Sequence, residues 1–135
     1  MRRSDVHFIL NLCKQIYMYF AGNLEQLTIS NNKYRKVLFT GRHSQLVVMS
    51  LKPLEEIGSE IHQNHDQFIR VEKGICLAQI GSDSYKMSDG DAIVIPAGMS
   101  HNIINYSQTL TLKLYTIYSP PEHPVGTIQE SKPQK

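Results

Sequence analysis

Two periodicities divide the chain. Over residues 6–20, Val6, Ile9, Leu10, Cys13, Ile16, Tyr17 and Phe20 recur at the spacing of one helix face. Ser4 or Asp5 supplies an N-cap for that helix, and Gly22 with Asn23 a stop. From Leu24 onward the texture changes to short runs rich in Val, Ile, Thr and Tyr, separated by Gly, Asn, Asp, Ser or Pro, which is an all-β rhythm. Strands are predicted at 36–40, 45–51, 60–63, 67–72, 75–80, 84–87, 92–95, 101–105 and 110–118. So many short antiparallel strands must close into a barrel or stack as two sheets, because open edges template aggregation. The organisation predicted is an amino-terminal helical extension at 1–22, one β domain at 23–120, and a Pro-rich loop with a polar tail at 121–135. The last residues of that tail are expected to be mobile.

Composition narrows the class. A chain of 135 residues can bury one core without metal or disulfide staples. Hydrophobic residues at 41% and charged residues at 19% describe a globular protein, and a net charge of +2 gives no electrostatic footprint for nucleic acid. Cys13 and Cys76 have neither metal-ligand nor redox spacing, which fits a reducing compartment, so a cytoplasmic protein is expected. Arg2 and Arg3 ahead of an apolar stretch imitate a signal peptide, but Asn11, Lys14 and Gln15 interrupt the run. No apolar run is long enough to span a bilayer, and the polar face of the helix is not basic enough for a membrane surface. The expected partners are a small-molecule ligand and a second copy in a homodimer, since strand edges and the apolar helix face both need cover.

The candidate chemistry lies in two segments. In "GSEIHQNHDQFIRVEKG", residues 58–74, extended chain puts Glu60 and His62 on one face. His65, three residues after His62, is expected in the turn built by Asn64, His65 and Asp66, facing water. Gln67 shares a face with Ile69 and Val71 and so points inward, where a buried amide needs a partner; a metal, or a water bound to one, would supply it. In "GDAIVIPAGMSHNIIN", residues 90–105, Pro96 and Gly98 build a tight turn and His101 opens the next strand with its ring aimed at what that turn faces. Taken singly, each of these residues has an ordinary structural explanation. Their joint pattern does not.

Together the segments resemble the paired motifs of the cupin superfamily. Gly90, Pro96, Gly98, His101 and Asn105 stand at the spacing of the second motif. Counting back from Gly74, Gln67 stands where cupins usually carry a glutamate, His62 at the second histidine position, and Glu60 where the first histidine sits. The resemblance covers roughly 35–118 and looks closest to small single-domain cupins described as mannose-6-phosphate isomerase-like, including the ending "LKLYTIYSPPEHPVGT". It implies a cupin-type double-stranded β-helix, a jelly-roll barrel, with a metal inside one mouth held by Glu60, His62, Gln67 and His101. Two imidazoles, a carboxylate and an amide suit a divalent transition metal: Zn, Fe, Mn, Ni or Co. Asn105 is expected to help orient a ligand.

The implied activity is on a small oxygenated metabolite such as a sugar or sugar phosphate, with isomerisation favoured. A non-haem iron dioxygenase and a non-catalytic, metal-dependent sugar-binding or regulatory module are the alternatives. No residue is assigned a catalytic role. Of Tyr115 and Tyr118, alternation lets only one face inward. Glu122 and His123 read as part of a rigid surface connection, and Arg42 and His43 as a solvated turn.

Overall fold

Strand β8, Leu112–Ser119, sets the frame because alternate side chains along it are buried: Leu112, Leu114, Thr116 and Tyr118 face inward. Its neighbours are β2, Gln45–Leu51, and β3, Asp66–Lys73, both antiparallel to it. Beyond them lie β6, Ala92–Ile95, on one side and β1, Arg35–Thr40, then β9, Ile128–Gln129, on the other. This gives a six-stranded sheet in the order β6-β3-β8-β2-β1-β9. A three-stranded sheet, β5-β4-β7, is built from β4, Ile75–Ile80, β5, Asp83–Ser88, and β7, His101–Ile104. The two sheets form the jelly roll. These relations come from a computed structural model that describes residues 19–134.

Register arranges the inward side chains in rows. Val47, Thr116, Ile69 and Ile93 stand opposite one another, and Met49, Leu114 and Val71 form the next row. Both rows are apolar apart from Thr116, and with Cys76, Ala78, Met87 and Ile103 of the smaller sheet they make up the core. A further apolar pair, Leu51 with Leu112, lies beyond Met49, and the row at the opposite end is different in kind: Gln45, Tyr118, Gln67 and Ile95. Three of its four side chains carry polar atoms while being almost wholly buried, so this end of the barrel is built to hold something other than hydrocarbon.

Helix α1, Leu24–Ile29, falls where β texture is expected from the sequence. Asn23 starts it, its side chain accepting from Gln26 N, and it packs on the outer face of β2, β3 and β8. The helix expected at 6–20 lies outside the described residues except at its last two positions, which are irregular. The strand expected at 60–63 is reduced to a single bridge between Glu60 and His101. Ile128 and Gln129, in the segment read as polar tail, pair with β1. Among the described residues no helix is long and apolar enough to cross a membrane.

Asn105 closes the far side of β7. Its fully buried amide donates to the carbonyls of Leu51, Lys52 and Leu110 at 3.2, 3.0 and 2.8 Å and accepts from Ser107 N at 3.1 Å. It is therefore a clamp between loops rather than the ligand-orienting residue expected from the sequence. Asn105→Ala should lower stability by about 2–4 kcal/mol, from buried carbonyls left unpaired, and leave metal content unchanged. Urea unfolding and elemental analysis of the same preparation check both halves.

Candidate metal centre

Glu60 and His101 are held opposite each other by two reciprocal backbone hydrogen bonds, Glu60 N to His101 O at 2.8 Å and His101 N to Glu60 O at 3.0 Å. A residue pair bonded in this way points its side chains to the same face. The segment continues so that Gly98 N donates to His62 O at 2.8 Å. Gly98 itself has φ +84°, which an L side chain rarely adopts, so glycine makes the turn that returns the chain to His101. The sequence motif thus brings residues nearly forty positions apart to one mouth of the barrel.

The resulting cluster is tight. Ligand-capable atoms of Glu60, His62 and His101 all lie within 4.8 Å of one another. His62 Nε2 is 3.1 Å and His101 Nε2 3.8 Å from Glu60 Oε2, and the two imidazole centroids are 5.3 Å apart. Donors at roughly 2.1 Å from a shared ion would be separated by about 3–3.5 Å, so the spacing fits. The hydrogen bonding fits as well. His101 Nδ1–H donates to Met99 O at 2.9 Å, which turns Nε2 toward the cluster, and that Nε2 is buried without a partner. Gln67 donates from Nε2 to Thr116 Oγ1 at 3.0 Å, leaving Oε1 buried and unpartnered. It stands opposite Tyr118, whose ring meets His62 edge-on at 5.7 Å. The structure therefore brings Glu60, His62 and His101 together, and places Gln67, with its unsatisfied oxygen, opposite the Tyr118 whose ring meets His62.

Two residues read as a surface connection belong to this mouth. Gln45 reaches across and grips the strap that carries them: its Nε2 donates to His123 O at 2.7 Å, and its Oε1 accepts from the backbone N–H groups of Glu122 and His123. Glu122 Oε2 lies 2.8 Å from His65 Nε2 and 3.7 Å from His62 Nδ1, giving the His62 ring a carboxylate on the side away from Glu60. His65, expected in water, is instead held between Glu122 and Pro120 O, the latter at 2.7 Å. His123 meets Tyr118 edge-on at 5.2 Å.

Of the two candidate tyrosines, Tyr118 faces inward and is 2% exposed, whereas Tyr115 lies beside Phe68 on the other face. Burial, reinforced by Glu60, raises the Tyr118 pKa far above that of a free phenol, so the hydroxyl stays protonated at neutral pH. Burial, followed by the positive charge of Arg35, pushes His123 down from 6.5 to about 4, so its ring is neutral at pH 7. Cys76, buried in the core, is raised to about 11 by desolvation and is inert.

Residues 47–118 match the cupin domain family. Uncharacterized protein L612 of Acanthamoeba polyphaga mimivirus is 49% identical over 118 residues, covering 85% of this chain and 74% of its own length. Uncharacterized protein YrkC of Bacillus subtilis (strain 168) is 45% identical over 119 residues, covering 84% of this chain but 63% of its own, so the chain spans less than two thirds of that relative. The crystal structure of BH2720 from Bacillus halodurans is 43% identical, with a TM-score of 0.83 over 86% of this chain and 92% of that one.

The depressed His123 pKa has a stability consequence. The unfolded chain binds a proton at this ring below about pH 6.5 and the folded chain only near pH 4, so folding stability falls as pH drops through that window. His123→Gln should flatten the fall between about pH 6.5 and 4, with little change at pH 8. Chemical denaturation of both proteins across that range is the check.

Proposed function

The chain belongs to the cupin family, and from that premise we propose that it is a metal-dependent protein acting on a small oxygenated metabolite, with Glu60, His62 and His101 as metal ligands and Gln67 as the fourth donor. The observation that carries this reading is the buried, unpartnered His101 Nε2 turned toward Glu60 and His62. An imidazole nitrogen in that state is costly unless a ligand completes it. The ligand set carries a single negative charge, so a divalent ion leaves the site net positive. Bound there, such an ion supplies Lewis-acid polarisation of an oxygen.

The remaining roles fall to the protein. Tyr118, kept protonated by burial, donates a hydrogen bond to a substrate oxygen. Glu122 and Met99 O hold the two imidazoles in orientation from their other nitrogens. The apolar rows beneath the site exclude water from one side. With the Glu122 carboxylate as the group that takes up and returns the proton, this set supports proton movement next to a polarised carbonyl or hydroxyl, as in isomerisation of a sugar or sugar phosphate, in line with the mannose-6-phosphate isomerase-like resemblance. The buried Gln67 oxygen favours this over dioxygenase chemistry, because a fourth protein donor leaves fewer positions for substrate and oxygen together.

Elemental analysis tests the ligand set. The protein should retain about one metal per chain after dialysis, and His62→Ala and His101→Ala should each lose most of it; full occupancy in both variants would sink the assignment. The reaction class is read separately. Protein reconstituted anaerobically with Fe(II) should show no substrate-dependent oxygen uptake on exposure to air, and sustained uptake would favour the dioxygenase.

A further inference from the structure

A groove of about 710 Å³ lies on the outside of the six-stranded sheet, between α1 and β1. Its floor is Leu38 of β1 and Val48 of β2, and its wall is Leu27 and Ile29 of α1, both of which stay partly exposed along it. Val48 alternates with the inward-facing Val47 and Met49, so this is the face of the sheet turned away from the core. Among the described residues, none of the buried side-chain atoms that lack a hydrogen-bond partner belongs to the groove. A site for a small polar ligand presents convergent polar groups. This one presents aliphatic side chains with no unmet buried polar atom beneath them.

The chain itself arrives at this groove. Gly22 and Asn23, which lead into α1, are among its lining residues. A methyl group on Gly22 would meet Leu27 Cδ1 at 3.3 Å and Phe20 Cζ at 3.4 Å, so the Phe20 ring already lies beside the wall of the groove. Phe20 is half-buried, whereas Tyr19 is 49% exposed. Phe20 closes the apolar stripe of Val6, Ile9, Leu10, Cys13, Ile16 and Tyr17, and Tyr19 stands outside that stripe. The stripe thus enters the described structure with its own member turned to the groove and its neighbour left more exposed. Helices joined by two to five residues pack as antiparallel neighbours, and only Ala21, Gly22 and Asn23 separate Phe20 from the start of α1.

We propose that the segment 6–18 folds back along α1 and lays its apolar stripe in this groove, so that each chain covers its own outer sheet face. The cover that the apolar face was expected to need from a second copy is then supplied by the same chain. Cys13, Ile16 and Tyr17 stand within two helical turns of Phe20, about 11 Å, and are the side chains that meet Leu27, Ile29 and Leu38. This docking is independent of the metal ligands.

Thiol chemistry on the full chain tests it. The chain has two cysteines, and Cys76 is 0% exposed in the core, so maleimide labelling of the native protein reads Cys13. Cys13 should label at least about tenfold more slowly than in the urea-unfolded chain, because its reaction waits on local opening. Ile29→Glu places a charge in the groove wall and should speed Cys13 labelling by about tenfold, with Cys76 still protected as the sign of an intact core. Cross-linking gives a second reading, which decides alone if Ile29→Glu does not fold. Leu27→Cys or Ile29→Cys, oxidised at low protein concentration, should form a disulfide with Cys13 inside one chain, since that bond needs Cα atoms within about 7 Å. Tyr85→Cys, exposed on the smaller sheet, should not. Cys13 labelling at the unfolded rate, protection that survives Ile29→Glu in a folded protein, or disulfides absent from both groove variants would overturn the proposal. Disulfides found only between chains would overturn it too, and would give the groove to a second copy.

Discussion

The reciprocal backbone pair between Glu60 and His101 is the constraint on which the site depends. No strand runs through 60–63 to impose alternation, so the way Glu60 faces is set by those two hydrogen bonds, with Ile57 N to Ile103 O and Gly58 N to Asn102 Oδ1 tying the preceding residues to β7. Once they form, the carboxylate and the imidazole share a side of the sheet. His62 follows two residues later, and the turn at Gly98 answers its carbonyl. A cluster that would be electrostatically awkward to assemble from long loops is therefore assembled from main-chain geometry.

The polar row above the core does the complementary work. In the six-stranded sheet, inward positions switch from Leu, Val, Ile and Met to Gln45, Gln67 and Tyr118 within a single pleat. Hydrocarbon below gives rigidity and excludes water, while the amides and phenol above are obliged to find partners. Gln45 finds them in the strap at 122–123, and Gln67 finds one in Thr116 with its oxygen left over. Stability and site chemistry meet at this boundary, one residue deep.

The sequence made the barrel legible because its strands obey a local rule. Runs 45–51, 75–80 and 92–95 coincide with β2, β4 and β6, each a β-branched or apolar stretch bounded by turn residues. His62 and His101 were likewise visible through the spacing around Gly74, Pro96 and Gly98. What escaped notice depended on contacts between distant segments. Arg35 reads locally as a strand boundary and becomes an interior charge only through its pairing with Met49. Glu122 and His123 read as a Pro-rich connection, and only the grip of Gln45, some 77 residues earlier, turns them into walls of the mouth. Helix α1 was missed for a different reason: Asn23 with Gln26 three residues on is a capping signal, outweighed by the β-branched Thr28 and Ile29 that follow.

The hold of Gln45 on the strap also says how this mouth can change. Glu122 and His123 are held by side chains, the Gln45 amide and the His65 ring, and not by a ladder of main-chain bonds. Remodelling of the stretch that bears them would alter what lines the opening while the strands beneath kept their register. The fold thus separates a part that must stay fixed, the Glu60–His101 bridge and the Gly98 turn that present the imidazoles, from a margin free to drift. New ligand preferences would accumulate along that margin first.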